Sequence, residues 1–141
     1  MRTARLVVGL CLLTAATMRA QQPVTPAATD AVTYSEEQAG RGEAVFTRVC
    51  LECHARKEMA NPDFRVKWNG RTMFDLVDRI RNSMPESNPG GLPRTDYLDV
   101  SAYLAKLNGV AAGPAELPDD DALLKKQVLA LPSVFASRPV Q

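Results

Sequence analysis

Two cysteines stand three positions apart and are followed at once by the only histidine of the chain, in the order Cys50, Cys53, His54. This C-x-x-C-H pattern is typical of covalent c-type haem attachment. Because residues three apart lie on adjoining turns of a helix, both thiols can bond to one edge of a haem, and the imidazole can bind the iron beneath it. The pattern therefore predicts one covalent haem c with His54 as the proximal iron ligand.

Three other interpretations of the two cysteines compete with haem attachment. A redox-active C-x-x-C accompanies a strand-helix-strand pattern, which this sequence does not show. A zinc site needs four ligands, whereas this chain offers one histidine and two nearby cysteines. A plain disulfide between Cys50 and Cys53 stays open on the sequence alone.

A methionine, Met84, precedes Pro85 in a loop that is rich in turn-forming residues. A thioether in such a loop suits the second axial position of a haem iron, and methionine with histidine is a known ligand pair. Met59 is too close to His54 along the chain to reach the opposite face of a haem, and Met73 falls in the opening turn of a helix. Since there is no second histidine, we expect Met84 to be the sixth ligand.

Trp68 is the only tryptophan of the chain. It can be a core aromatic, or it can cover the haem and donate its indole N–H to a propionate, because a buried indole N–H usually finds a partner. The predicted metal ligands are thus His54 and Met84, and no catalytic residue is predicted. The predicted cofactor-binding residues are Cys50, Cys53, His54, Met84 and Trp68.

Apolar periodicity and capping residues predict three main helices. The first begins at a capping box from Ser35 to Gln38 and leads directly into the cysteine motif. The second follows Thr72, and the third runs from about residue 94 to residue 107, where Asn108-Gly109 stops it. Residues 35–109 are therefore the predicted helical domain.

The first twenty residues form a predicted secretory signal peptide. Arg2 and Arg5 precede an uncharged apolar run that is too short for a membrane span, which needs about 20 residues. Cleavage is expected after Ala20 or, alternatively, after Ala16. This predicts a periplasmic protein with no membrane span once the signal is removed.

Both flanks of the helical domain are predicted to lie outside it. Residues 21–34 are rich in Pro, Ala and Thr and predict a flexible leader. Residues 110–141 predict a C-terminal extension that is not part of the haem core. Within it, Leu124, Val128 and Leu131 recur at helical spacing, which predicts a short amphipathic helix.

The charge balance argues against a nucleic-acid partner. The whole sequence has 17 Lys and Arg against 16 Asp and Glu. Removal of Arg2, Arg5 and Arg19 with the signal leaves 14 basic residues against 16 acidic ones, a formal net charge of −2. Ionised haem propionates would make the protein more acidic still, so no polyanion is an expected partner.

Three residues carry a resemblance to the monohaem class I c-type cytochromes. Gly42 and Phe46, shortly before the cysteine motif, and Tyr103 resemble the glycine and aromatics of that family where its first helix crosses its last. Met84-Pro85 and the segment after it are most similar to the haem domains associated with quinone-cofactor (PQQ) alcohol dehydrogenases. The resemblance implies an all-α class I cytochrome c fold, with three main helices wrapped around one covalently bound haem.

The predicted ligand pair decides between two classes of function. With His54 and Met84 both bound, no iron position is left for substrate or oxygen, so the iron can only change oxidation state. We therefore expect an electron-transfer protein rather than an enzyme. The resemblance implies a periplasmic dehydrogenase as donor and a terminal oxidase or another cytochrome as acceptor. The alternative is a haem enzyme or gas-binding sensor with an open iron position.

Overall fold

The structure, a computed structural model, describes residues 30–132. The predicted signal peptide, residues 1–20, lies outside the described residues, as do residues 21–29 of the predicted leader. Within the described part the chain is mainly helical, and its three longest helices are the three predicted from periodicity. Helices α1 to α5 are Glu36–Val49, Pro62–Trp68, Met73–Ser83, Arg94–Leu107 and Asp121–Leu124, and strands β1 and β2 are Asp30–Ala31 and Gln127–Val128.

Helices α1 and α4 cross at Gly42. A Cβ atom at this position would overlap the backbone carbonyl of Asp99 and lie 2.9 Å from the Cβ of Tyr103, so the two backbones can approach this closely only at a glycine. Beside the crossing, the buried rings of Phe46 and Tyr103 meet with centroids 5.4 Å apart. The crossing predicted from Gly42, Phe46 and Tyr103 is confirmed.

The capping residues begin the helices where the sequence predicts. The Ser35 hydroxyl accepts a hydrogen bond from the Gln38 amide at 3.0 Å, and the Thr72 hydroxyl accepts one from the Asp75 amide at 3.1 Å. One half of the first predicted capping box is wrong. The side-chain oxygen of Gln38 does not close on Ser35 but accepts from the amide of Leu117 at 2.8 Å.

A short helix occupies part of the segment 55–69, which lacks an apolar period and in which Asn61-Pro62 predicts a loop. In the structure α2 begins at Pro62, because the Asn61 side chain accepts from the Phe64 amide at 2.8 Å. Asparagine is a favoured N-cap and proline a favoured first helical residue. The same dipeptide therefore starts a helix here.

The predicted flexible leader is wrong for residues 30–34. Val32 and Tyr34 are buried in the same core as the helices, and the Tyr34 hydroxyl donates to the Val110 carbonyl at 2.5 Å. Strand β1 pairs in parallel with β2, with Asp30 opposite Gln127. These partners lie far along the chain, so local composition does not reveal them.

The C-terminal segment 110–132, here called the strap, packs on the helical body instead of standing outside it. It contributes four leucines to the common core: Leu117, Leu124, Leu129 and Leu131. The predicted amphipathic helix through Val128 is also wrong, because α5 ends at Leu124 and the chain is extended at Gln127–Val128. The strap is therefore part of the folded body.

Backbone hydrogen bonds fix the path of the strap. Near its start, the Gly113 amide donates to the Tyr34 carbonyl at 2.8 Å. Near its end, Leu129 exchanges hydrogen bonds with the connection between α2 and α3, donating to Arg71 and accepting from Gly70, each at 2.8 Å. This pairing satisfies the backbone of residues 127–131 in an extended form, which is why the apolar spacing there does not produce a helix.

Candidate haem-binding site

Cys50, Cys53 and His54 lie together in one turn at the end of α1. A 3-10 turn covers Cys50–Glu52, and the amides of Cys53 and His54 both donate to the carbonyl of Cys50, at 3.2 and 2.9 Å. Cys50 itself caps α1, since its amide donates to the Phe46 carbonyl. Backbone hydrogen bonds therefore hold the whole motif in a compact shape.

Both thiols of the motif are free, with Cys50 half-buried and Cys53 exposed. Cys50 and Cys53 therefore do not form a disulfide in this structure. Burial raises the pKa of the Cys50 thiol, which favours its protonated form. Among residues 30–132, no group of three or more His, Cys, Asp or Glu side chains is arranged to hold a metal ion, so the described residues offer no zinc site.

The imidazole of His54 is one-third exposed, and a carboxylate lies beside it. Its Nδ1 is 3.8 Å from an oxygen of Glu58, which is too long for a hydrogen bond. That oxygen accepts from the Ala55 amide at 3.0 Å instead. The Asn61 side chain caps α2 and does not contact His54. The structure thus places Glu58 next to the predicted ligand without bonding to it.

Met84 lies at the end of α3 and is half-buried. Its amide donates to the Ile80 carbonyl at 2.8 Å, and its own carbonyl accepts from the Tyr97 hydroxyl at 3.0 Å. Met73, by contrast, is fully buried in the core at the start of α3. Of these two methionines, Met84 is the one whose side chain is accessible.

Polar side chains of α4 anchor the loop that carries Met84 and the loop that follows the cysteine motif. Near the start of α4, Tyr97 holds the carbonyl of Met84. At its end, Asn108 donates to the carbonyl of Met59 at 2.7 Å, in the loop that follows the cysteine motif. The sequence predicts Tyr97 only as a residue of the third helix and Asn108 only as a helix stop. The signal available for Tyr97 was general: a buried phenol usually has a hydrogen-bond partner.

Trp68 is buried at the end of α2, where it packs against Phe64 with ring centroids 6.1 Å apart. The cations of Lys67 and Arg71 lie 5.4 and 6.0 Å from the indole centroid, within the range of cation–π attraction. The indole also lines a cavity of about 550 Å³ that extends along α3 to Asn82 and Ser83. Apart from Trp68 its lining is polar, and Cys50, Cys53, His54 and Met84 do not line it.

The residues present fit a covalently bound haem. Two free thiols, one imidazole and one thioether are the donor set of a His/Met haem c. Half-buried apolar side chains from four different segments pack against the edge of the core and leave apolar surface for a macrocycle to cover. These side chains are Leu51, Phe64, Ile80 and Leu92.

A sequence model of the family described as "Cytochrome C oxidase, cbb3-type, subunit III" matches residues 37–104. The matched span begins in α1, contains the cysteine motif and Met84, and ends within α4, so the strap lies outside it. No curated protein and no solved structure was found to match the chain.

The family match and the helical architecture together show the all-α fold of a class I cytochrome c. They support a c-type cytochrome with covalent haem c, which transfers electrons to and from redox protein partners. In the described part of the chain, no helix is both long and apolar enough to cross a bilayer.

Proposed function

We propose that the chain is a periplasmic one-electron carrier with a single haem c, attached through Cys50 and Cys53 and ligated by His54 and Met84. The observation that carries this proposal is the compact turn at the end of α1, which presents two free thiols and the imidazole together. Haem c, when bound, supplies a one-electron ferric/ferrous couple.

Each residue of the site then has a defined task. The thiols of Cys50 and Cys53 would hold the haem through thioether bonds, and His54 and Met84 would ligate its iron and so keep substrate and oxygen away from it. A thioether ligand also favours reduced iron and raises the potential. Trp68 would cover the haem edge and donate its indole N–H to a propionate, and the nearby cation of Arg71 would offset the propionate's charge.

The proposed donor is a periplasmic dehydrogenase, and the proposed acceptor is a terminal oxidase or another cytochrome. The resemblance of Met84-Pro85 and its surroundings to the haem domains of PQQ alcohol dehydrogenases supports the donor. The description of the matched family as an oxidase subunit supports the acceptor. Mixing the purified reduced protein with membranes that contain the oxidase should oxidise it rapidly; no acceleration over buffer would contradict this route.

Export rests on the predicted signal peptide, residues 1–20. N-terminal sequencing of protein from the periplasmic fraction should begin at Gln21, or at Thr17 if cleavage follows Ala16. A haem-containing protein that starts at Met1 in the cytoplasmic fraction would contradict the proposed location.

Covalent attachment predicts that the haem stays with the polypeptide under denaturing conditions. Denaturing electrophoresis followed by haem staining should give a stained band, and mass spectrometry should give one haem per chain. A haem that extracts into acidified organic solvent would show that Cys50 and Cys53 are not bonded to it.

Replacement of Met84 tests the ligand assignment and the closed iron together. Met84→Ala keeps both cysteines and His54, so the haem should remain attached. The reduction potential should fall, because the ligand that favours reduced iron is gone, and carbon monoxide should bind the reduced protein readily. The measurements are a potentiometric titration and a carbon monoxide difference spectrum.

Met73→Ala is the matched control, since Met73 is buried in the core and should affect stability without opening the iron. If Met73→Ala opens the iron while Met84→Ala stays closed, the ligand is the wrong methionine. If the unmodified protein binds carbon monoxide readily, the iron is open, and the haem enzyme or gas-binding sensor becomes the better assignment.

A further inference from the structure

One hydroxyl group joins the two ends of the loop that carries Met84. The Tyr97 hydroxyl donates to the carbonyl of Met84 at 3.0 Å and accepts from the amide of Leu92 at 3.3 Å. Tyr97 stands in the first turn of α4, and its side chain is only 1% exposed. Residues 84–92, here called the Met84 loop, are thus tied at both ends to a buried group of a long helix.

The remainder of the Met84 loop has little else to hold it. Residues 86–91 are exposed, and the backbone hydrogen bonds among them are local turns, from Asn88 to Pro85 at 2.9 Å and from Gly91 to Asn88 at 3.0 Å. Exposed residues bury little apolar surface, so they add little to the free energy that fixes the loop. At its two ends the loop is held by the Met84 amide bond to Ile80, by the packing of Leu92 on the core and by Tyr97, the one side chain that hydrogen-bonds to both ends.

We propose that Tyr97 is a positioning residue that holds the thioether of Met84 in place as an iron ligand. This inference rests on the proposed function, in which Met84 is the sixth ligand. Tyr97 acts through the backbone at Met84 and Leu92, and it does not itself bind the iron.

A neutral thioether is a weak ligand, so the fraction of iron that it occupies depends on how often the loop presents it correctly. The two hydrogen bonds of the Tyr97 hydroxyl favour the loop arrangement in which the Met84 thioether can reach the iron. Without the hydroxyl, the loop samples other arrangements, and the sixth position of the iron opens for part of the time.

The test is Tyr97→Phe, which keeps the buried ring and removes only the hydroxyl. We expect the reduction potential to fall, the thioether-to-ferric-iron charge-transfer band to weaken, and the fraction of iron open to carbon monoxide to rise about tenfold, as two net hydrogen bonds allow. The measurements are potentiometry, the near-infrared edge of the ferric spectrum, and stopped-flow mixing of reduced holoprotein with carbon monoxide.

Tyr34→Phe is the matched control. The Tyr34 hydroxyl is equally buried and donates to a backbone carbonyl, that of Val110, away from the Met84 loop. This variant should lower the melting temperature while leaving the potential, the charge-transfer band and carbon monoxide binding unchanged. If Tyr34→Phe changes them as much as Tyr97→Phe does, the effect is general destabilisation and the positioning role is refuted.

A fluorinated tyrosine at position 97 supplies a second variant that keeps the hydroxyl. It should retain the charge-transfer band and the closed iron, and a loss of both would assign the effect to the ring and overturn the proposal.

Met84→Ala separates this inference from the proposed function. If Met84→Ala opens the iron but Tyr97→Phe leaves all three measurements at their wild-type values, the inference fails while the electron-carrier proposal stands. If Met84→Ala leaves the iron closed, the ligand assignment fails and takes the inference with it.

Discussion

The α1–α4 crossing and the strap are both buried, but they are held by different kinds of contact. At the crossing, two 14-residue helices meet backbone to backbone at Gly42, and one aromatic pair closes the contact. The strap has a four-residue helix and a two-residue strand, and it is attached by separate leucines, by backbone hydrogen bonds to loops and by ion pairs. The crossing depends on shape at a single point, whereas the strap depends on the sum of separate anchors.

The largest effect is expected in the strap, from Leu124→Ala. Leu124 is 0% exposed, so its truncation leaves a cavity beneath α5 and should lower the free energy of unfolding by about 2–5 kcal/mol. Guanidinium denaturation of the holoprotein measures this. The neighbouring Leu123 is 45% exposed, and Leu123→Ala should change the free energy by about 0.5 kcal/mol or less. Equal effects of the two substitutions would mean that the strap is not anchored through this side chain.

At the crossing, a single added methyl group is expected to destabilise the fold. Gly42→Ala places a methyl group against the backbone of α4 and should cost about 1–3 kcal/mol through overpacking. Gly40→Ala is the control, because nothing lies within 4 Å of a Cβ at this exposed helical position. It should stabilise α1 by about 0.5–1 kcal/mol. If thermal unfolding of the holoprotein shows Gly42→Ala to be neutral, the two helices do not cross as closely as described.

The smallest effect is expected from a fall in pH, which should destabilise the strap more than the α1–α4 crossing. Hydrogen bonds from Arg41 hold the pKa of Glu116 below its usual value, and those from Arg94 do the same for Asp121. A carboxyl with a lowered pKa contributes stability above the ordinary value of about 4, and this contribution is lost as the pH falls through the folded-state pKa. Both carboxyls are exposed, so the effect is modest and weakens with salt.

Hydrogen exchange can locate this effect. As the pH falls from about 5 to about 3, amides of the strap should lose protection relative to those of α1 and α4, after correction for intrinsic exchange rates. The double variant Glu116→Gln, Asp121→Asn should remove most of this pH dependence. Simultaneous loss of protection in both regions would show that the strap and the crossing open as one unit.

The same contrast explains which features the sequence predicts. Helices α1, α3 and α4 follow from apolar spacing and from caps such as Ser35 and Thr72, because both signals lie within one stretch of chain. The start of α2 was missed because Asn61-Pro62 is compatible with a turn and with a capped helix, and the choice depends on packing around Phe64 and Trp68.

The strap was misjudged because its partners are distant in sequence. Nothing local to Gln38 indicates that its side chain accepts from Leu117, and nothing local to Leu129 indicates that its backbone pairs with residues 70–71. The spacing of Leu124, Val128 and Leu131 fits a helix, and the tertiary hydrogen bonds override it.

In the candidate site, too, the sequence predicts the residues that are neighbours in the chain and misses the contacts between distant positions. Cys50, Cys53 and His54 were grouped correctly because they are contiguous, and the structure holds them in one turn. The link from Tyr97 to Met84 and Leu92 was missed because a single hydroxyl connects three positions whose spacing follows no helical or strand period.

The parallel pairing of β1 with β2 has a consequence for the order of events during folding. Asp30 lies opposite Gln127, so this contact closes a loop that includes nearly the whole described chain, and contacts of such wide sequence separation form late. The cysteine motif, by contrast, is shaped by hydrogen bonds that span only a few residues. The turn that holds the two thiols can therefore form while the rest of the helical body is still unfolded. The pairing of β1 with β2 then completes the fold.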